Sequence, residues 1–280
     1  GQVVFWNTEV FEEKGLPNPR ELMENDEWTW ESMTVIAKEA IQQEENGESF
    51  KSWGMGGAIH NPNFILNILP TYKANIIQKD KGGNYSFVLN ESKAIEALEY
   101  LPEWHKTPGF LHPVQPRVNN FRERQAFNNG EIAMLVRPLL VLPELDEEVT
   151  DFIYFPRGPE RDDYFLPTTN VTISCFPVTA KNVNSLINIH NSLFSITETE
   201  VENIVEQNAR QFTTNEESYE LYKEMSVNWR PLSSYLDFYQ EDIENMKKFT
   251  EAMQLINQNI FKIANKEIEP KEIDIIKEEV

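Results

Sequence analysis

The stretch from Val3 to Met33, VVFWNTEVFEEKGLPNPRELMENDEWTWESM, predicts a strand, a short helix, a break and the start of a second helix. Val3–Trp6 is a short apolar run with clear limits, as expected of a buried strand. Gly15–Pro19 contains one glycine and two prolines, so it should end the short helix and prevent another from starting nearby. Thr29 is a candidate N-cap for the helix that follows. That helix carries apolar residues at helical spacing: Met33, Ile36, Ala37, Ala40 and Ile41.

Strand and helix patterns alternate along the rest of the chain. Lys79–Asn84 is a hairpin signal before the strand Tyr85–Leu89, and Asn90 or Ser92 is expected to cap the next helix. Periodicity also predicts a helix at 121–127, strands at 132–136, 152–156 and 171–178, and helices at about 182–196 and 240–263. This order is typical of an α/β fold.

The composition narrows the classes of partner. With 280 residues the chain can form one large or two ordinary domains. Its net charge of −21 disfavours nucleic acid and anionic membranes as partners. No stretch approaches the roughly 20 apolar residues of a membrane-spanning helix. The single cysteine, Cys175, excludes an internal disulfide, and its place in a predicted strand favours a buried position.

No catalytic or metal-binding pattern emerges from the sequence. Adjacent carboxylates, such as Glu12-Glu13 and Glu216-Glu217, lie in charged stretches typical of solvated surfaces. The four histidines lack metal-ligand spacing, and the glycines at 54–57 do not form a phosphate-binding pattern. We therefore expect a non-catalytic binding protein, without cofactor or metal, rather than an enzyme.

Four motifs in sequence order point to one family. The strand ending in Trp6-Asn7, the break at Gly15–Pro19 and the Thr29-Trp30 helix start form the first. AFNNGEIAM (126–134) resembles an AF-x-x-G-x-x-AM signature, FPRGP (155–159) resembles a P-x-P-x-G strand end, and ANKEIEPKE (264–272) resembles a closing helix pair. Together they resemble the extracellular solute-binding proteins of ABC importers, family 1, the maltose-binding-protein-like group.

The resemblance implies a periplasmic-binding-protein type II-like α/β fold, mainly its C-terminal lobe, with helices around a central sheet. Residues 1–156 and 213–280 would form that lobe, and 165–212 would be a remnant of the N-terminal lobe. Because the opening motif normally lies well inside such chains, we expect the first part of the N-terminal lobe to be missing. This exact chain would then bind ligand weakly or not at all, and the apolar faces of 171–196 would be covered by self-association or poorly ordered.

The implied function is ligand capture for transport. The resemblance predicts an extracytoplasmic, non-catalytic component that holds a carbohydrate-like ligand between two lobes and delivers it to ABC permease subunits. It also predicts an extracellular lipoprotein or a periplasmic location. A sensor or interaction module with the same fold is the alternative. A glycan hydrolase would need two carboxylates in the cleft, and the sequence offers no such pair.

By analogy, the loop after the strand at Trp53 supplies His60, Asn61, Asn63 and Phe64 to the ligand cleft. For His60 and Asn61 the alternative is an ordinary turn. For Phe64 it is a core position at the start of a helix. Planar amides pair with sugar hydroxyls and aromatic faces cover sugar rings, which is why these residue types fit such a cleft.

The other two expected cleft walls contain Arg137 and Trp229. Where well-known sugar binders have Gly-Pro-Trp, this chain has Arg137-Pro138-Leu139, so the stacking aromatic is absent. Arg137 would clamp a carboxylate, sulfate or phosphate, which favours an acidic or substituted sugar, or it would form a salt bridge between loops. Trp229 is the best aromatic candidate, with simple packing as its alternative.

Overall fold

A computed structural model describes residues 1–47, 49–57, 63–79, 81–82, 85–113, 120–168, 175–177, 179–231 and 262. The helices are α1 Thr8–Lys14, α2 Pro19–Glu24, α3 Trp30–Glu39, α4 Asn63–Ile68, α5 Ser92–Lys106, α6 Asn120–Asn128, α7 Val183–Phe194, α8 Glu198–Phe212 and α9 Glu216–Val227. The strands are β1 Gln2–Asn7, β2 Gln42–Gln43, β3 Phe50–Gly57, β4 Ile77–Lys79, β5 Tyr85–Phe87, β6 Ile132–Pro138, β7 Thr150–Ile153, β8 Leu166–Thr168 and β9 Trp229–Pro231.

A five-stranded sheet in the order β2-β3-β6-β1-β7 forms the centre of the molecule. β3 runs parallel to β6, whereas β1 runs antiparallel to both β6 and β7. The carboxyl ends of β3, β6 and β7 therefore meet at one edge, together with the start of β1. Ile132–Val136 is fully buried, as expected of a strand covered on both faces.

The local signals of the opening stretch are confirmed, with one correction. The Asn7 side chain accepts a hydrogen bond from the Val10 N–H at the start of α1, and Gly15 ends that helix in the left-handed region, φ 62°. Thr29 forms a capping box with Ser32 at the start of α3. The prediction that the prolines prevent a nearby helix is wrong. Pro19 is the first residue of α2, where its missing N–H costs nothing.

Two hydrophobic layers enclose the sheet. On one face an aromatic cluster of Trp30, Phe64, Trp104 and Phe155 packs edge-to-face and tilted, with ring centroids 5.6–6.4 Å apart. On the other face α9 packs through buried residues such as Met225 against strand residues that face it. Each layer fixes the sheet from one side, so the strand ends are held in place.

The structure confirms one further local prediction and contradicts two others. The β4–β5 hairpin pairs as expected, but Glu91 precedes α5 and makes no side-chain capping bond, so capping by Asn90 or Ser92 is wrong. Cys175 is exposed rather than buried. Most of the predicted strand 171–178, and the predicted helix 240–263 apart from Lys262, lie outside the described residues.

The helix predicted at 182–196 is confirmed as α7, and its apolar face is open to solvent. No residue of α7 is buried, and Ile189, Leu193 and Phe194 are each more than half exposed. Self-association through this region stays a prediction, as does the division of the chain into 1–156 plus 213–280 and 165–212.

Candidate functional site

The candidate binding site lies where the carboxyl ends of β3, β6 and β7 meet the start of β1, and we call this side of the sheet the strand-end edge. In register, Gly57 lies opposite Val136 on β6, and Arg137 lies opposite Val3 near the start of β1. Ligands of open α/β sheets bind outside the carboxyl ends of the strands. The side chains at this edge are therefore the ones to examine for ligand contacts.

Gly57 marks the point where β3 meets the site. Its φ is +104°, and a Cβ at this position would lie 2.1 Å from the Val136 carbonyl oxygen. Both the backbone conformation and the close approach of β6 therefore require glycine. The Gly57 N–H donates to Glu123 Oε1 across 2.7 Å. A side chain from α6 is thereby held against the strand end.

Arg137 and Glu123 form an ion pair at this edge. The Arg137 guanidinium donates through Nη2 to Glu123 Oε2. The Glu123 side chain is 5% exposed and that of Arg137 is 16% exposed, so both are largely withdrawn from water. Because one oxygen of Glu123 binds the Gly57 amide and the other binds Arg137, the carboxylate is held from two sides.

Near this edge, the segment that follows β7 and contains β8 pairs with the segment that follows α9 and contains β9. β8 and β9 run parallel, with Leu166 opposite Trp229. Asn228 Nδ2 donates to the Tyr164 carbonyl at 2.9 Å and to the Tyr154 hydroxyl at 3.3 Å. The Tyr154 hydroxyl in turn donates to Glu224 Oε1 on α9. Burial, with Glu224 nearby, raises the pKa of Tyr154, so this hydroxyl stays protonated and acts as a structural hydrogen-bond donor.

The predicted site residues have different outcomes. The Phe64 side chain is 1% exposed and lies in the aromatic cluster with Trp30 and Trp104, so it is a core residue and not a ligand contact. For Arg137 the salt-bridge interpretation applies, with the correction that its partner is on α6.

The structure does not test the other four predicted residues. Asn63 begins α4 and Trp229 begins β9, and only their backbone positions are described. His60 and Asn61 lie outside the described residues. Their contacts with a ligand therefore stay predictions.

Sequence reasoning missed Glu123 and Gly57. Glu123 stands between Arg122 and Arg124 on a short polar helix, so the pattern alone suggests another solvated charge. The one available signal is its place three residues before the Ala126-Phe127 motif, on the turn of α6 that precedes a buried residue pair. Burial of a carboxylate at that spacing depends on where β6 and β3 end, which is a tertiary property.

Within the described part of the chain, no group of three or more metal-binding side chains is found. In the same residues, no helix is both long and apolar enough to cross a membrane. These findings add no further site to the strand-end edge.

Comparisons with known proteins give a clear result for the fold alone. No protein-family model matches the chain, and no curated protein sequence matches it. Solved structures do match. An ABC transporter solute-binding protein from Thermotoga lettingae, bound with α-D-tagatose, superposes with a TM-score of 0.63 at 12% identity, covering 99% of this chain and 69% of that one.

Two further structures agree. A sugar transporter protein from Arthrobacter chlorophenolicus with bound laminaribiose gives a TM-score of 0.63 at 12% identity, covering 99% of this chain and 68% of that one. The substrate-binding protein Lmo0181 from Listeria monocytogenes, in complex with cycloalternan, gives 0.61 at 15% identity, covering 99% and 69%. At such identities the likeness establishes architecture. The chain has the α/β fold of ABC transporter solute-binding proteins.

Proposed function

We propose that this protein is the extracytoplasmic solute-binding component of an ABC importer and captures a carbohydrate-like ligand at the strand-end edge of its sheet. The observation that carries the proposal is the superposition of 99% of the chain on solute-binding proteins whose structures contain tagatose and laminaribiose. The edge occupied by Gly57, Arg137 and the start of β1 is where an open α/β sheet binds its ligand.

The chemistry of the edge suits binding rather than turnover. The Glu123 carboxylate is occupied by the Gly57 amide and by Arg137, so it is not placed to act as a general acid or base. The Tyr154 hydroxyl is buried and held by Asn228 and Glu224. Groups fixed in this way support the shape of a cleft and its hydrogen bonds.

Ligand-dependent stabilisation tests the proposal. Thermal unfolding of the purified chain would be followed with D-tagatose, laminaribiose, maltotriose and ribitol, each titrated into the millimolar range so that weak binding is detected as well as tight binding. One of these compounds should raise Tm in a saturable way, since a ligand that binds only the folded state stabilises it. Calorimetric titration would then give the Kd. An equal Tm for all compounds and for a buffer control would contradict the proposal.

A binding component of this kind acts outside the cytoplasmic membrane and presents its ligand to permease subunits. We extend the proposal to that location, with a lipoprotein anchor or a periplasmic site as the two forms, and to those partners. Fractionation of the source cells with an antibody to the chain would locate the protein. Recovery from the cytosol would contradict this extension while leaving the binding test untouched.

A further inference from the structure

The ion pair at the strand-end edge carries a consequence for the charge of the ligand. Arg137 is the cation that sequence reasoning offered as a clamp for an anion. In the structure its guanidinium is bound to Glu123, whose carboxylate is 5% exposed. The pair is therefore neutral as a unit, and it lies at the end of β6 where the ligand is expected.

Because Glu123 is buried, separating Arg137 from it costs free energy. An anion that took the guanidinium for itself would leave the carboxylate buried without its cation, although the Gly57 amide would still donate to Oε1. Breaking a buried pair by removing one member is strongly unfavourable, because the remaining charge is left uncompensated. A hydroxyl, in contrast, approaches a neutral pair without breaking it.

We infer that Glu123 is a positioning residue that holds Arg137 and cancels its charge, so that this cleft wall accepts uncharged polyhydroxyl ligands and rejects anionic ones. The inference rests on the proposed function for the nature of the ligand. It reverses the preference for an acidic or substituted sugar that Arg137 alone suggests.

Removing the carboxylate should convert the wall into an anion site. Glu123→Gln keeps the size of the side chain and removes the negative charge that contacts Arg137. Inorganic sulfate is the first probe, titrated at constant ionic strength and followed by thermal unfolding. We expect sulfate to bind this variant at least about tenfold more tightly than it binds the wild type.

Glu144→Gln is the matched control. Glu144 pairs with Arg124, which lies on α6 next to Glu123, but the Glu144 side chain is 47% exposed. Sulfate should affect this variant as it affects the wild type, including any general stabilisation by salt exclusion. Equal sulfate responses in the Glu123 and Glu144 variants would overturn the inference. Specific sulfate binding by the wild type would overturn it as well.

Sugars supply the second measurement. D-glucose and D-galactose would be compared with D-glucuronate and D-galacturonate. The wild type should favour the neutral member of a pair at least about tenfold, and Glu123→Gln should narrow or reverse that ratio. A structural defect alone would weaken both members alike, so the ratio separates a change of selectivity from a loss of folding.

The sulfate and sugar experiments together distinguish failure of this inference from failure of the proposed function. If no sugar binds any variant, the proposed function fails, and the sulfate comparison still decides the role of Glu123. If Glu123→Gln does not fold, the wild type decides alone: preference for the neutral sugar supports the inference, and preference for the uronate overturns it. The double variant Glu123→Gln, Arg137→Gln should lose the sulfate binding that the single variant gains.

Discussion

Two arginine–carboxylate pairs lie at opposite ends of β1, and they differ in the hydrogen bonds that hold each pair. At one end Arg20 donates two parallel hydrogen bonds to Asp151, at 2.8 and 2.6 Å, and a third to Ser218 Oγ at 2.8 Å. At the other end Arg137 reaches one oxygen of Glu123. Both pairs are largely buried, yet only the second lies where the carboxyl ends of the strands meet.

The surroundings of the two pairs account for different roles. Arg20 is sandwiched between the rings of Trp6 and Phe152, 5.7 Å from each centroid, and its partners come from β7 and α9. It ties α2, β7 and α9 together at the opposite end of the sheet from Arg137. The same chemistry therefore serves cohesion at one end of β1 and the charge balance of a candidate cleft at the other.

The largest expected effect is that of Arg20→Met. Removing the guanidinium leaves Asp151 buried beside Ser218, and loss of one member of a buried pair costs about 3–5 kcal/mol of unfolding free energy. Urea unfolding followed by tryptophan fluorescence measures the change. A loss below about 1 kcal/mol, the range of exposed pairs, would show that the enclosure of this pair has been overestimated.

A smaller loss is expected for Arg137→Met, about 2–3 kcal/mol, because Arg137 contacts Glu123 through Nη2, whereas Arg20 donates two hydrogen bonds to Asp151 and a third to Ser218. The same urea experiment measures it. The double variant with Glu123→Gln should recover at least half of the loss, since no buried charge then remains. A double variant as unstable as the sum of its single variants would mean that the two side chains do not interact.

The part of this architecture that the sequence predicts is the part governed by near neighbours. Asn7, Gly15 and Thr29 cap their helices because a cap needs only residues within one turn, and the apolar run of β6 shows that it is covered on both faces. Glu123 carries no such signal, because its burial depends on where two distant strands end.

The wrong predictions have different origins. The break predicted at Gly15–Pro19 overlooks a local signal, because the position of Pro19 directly after Asn18 suits a first helical residue. Phe64 suits either a cleft or a core by its type, and only the positions of Trp30 and Trp104 decide for the core. Cys175 has apolar neighbours in the sequence, which favour a buried position, yet the structure exposes it.

Ser218→Ala tests how much the third partner adds to the Arg20 pair. Ser218 Oγ accepts from Arg20 Nη2 and donates to Asp151 Oδ1 at 2.9 Å, while the bidentate pair remains without it. We expect a loss of about 1 kcal/mol, the usual contribution of one hydrogen-bonding group. Ser226→Ala on the same helix is the control, since Ser226 Oγ donates to the Tyr222 carbonyl of its own helix. Equal losses for both variants would remove Ser218 from the network.

The smallest loss of unfolding free energy should come from Glu144→Gln, because Glu144 belongs to an exposed arginine–carboxylate pair. Glu144 Oε2 lies 2.8 Å from Arg124 Nη2, equal to the longer of the two Arg20–Asp151 distances, yet the Glu144 side chain is 47% exposed. Water and salt screen an exposed pair, so we expect a change below about 0.5 kcal/mol that becomes smaller still at high ionic strength. Urea unfolding at low and high sodium chloride measures both. A loss near that of Arg137→Met would mean that distance rather than burial sets the strength of these arginine–carboxylate pairs.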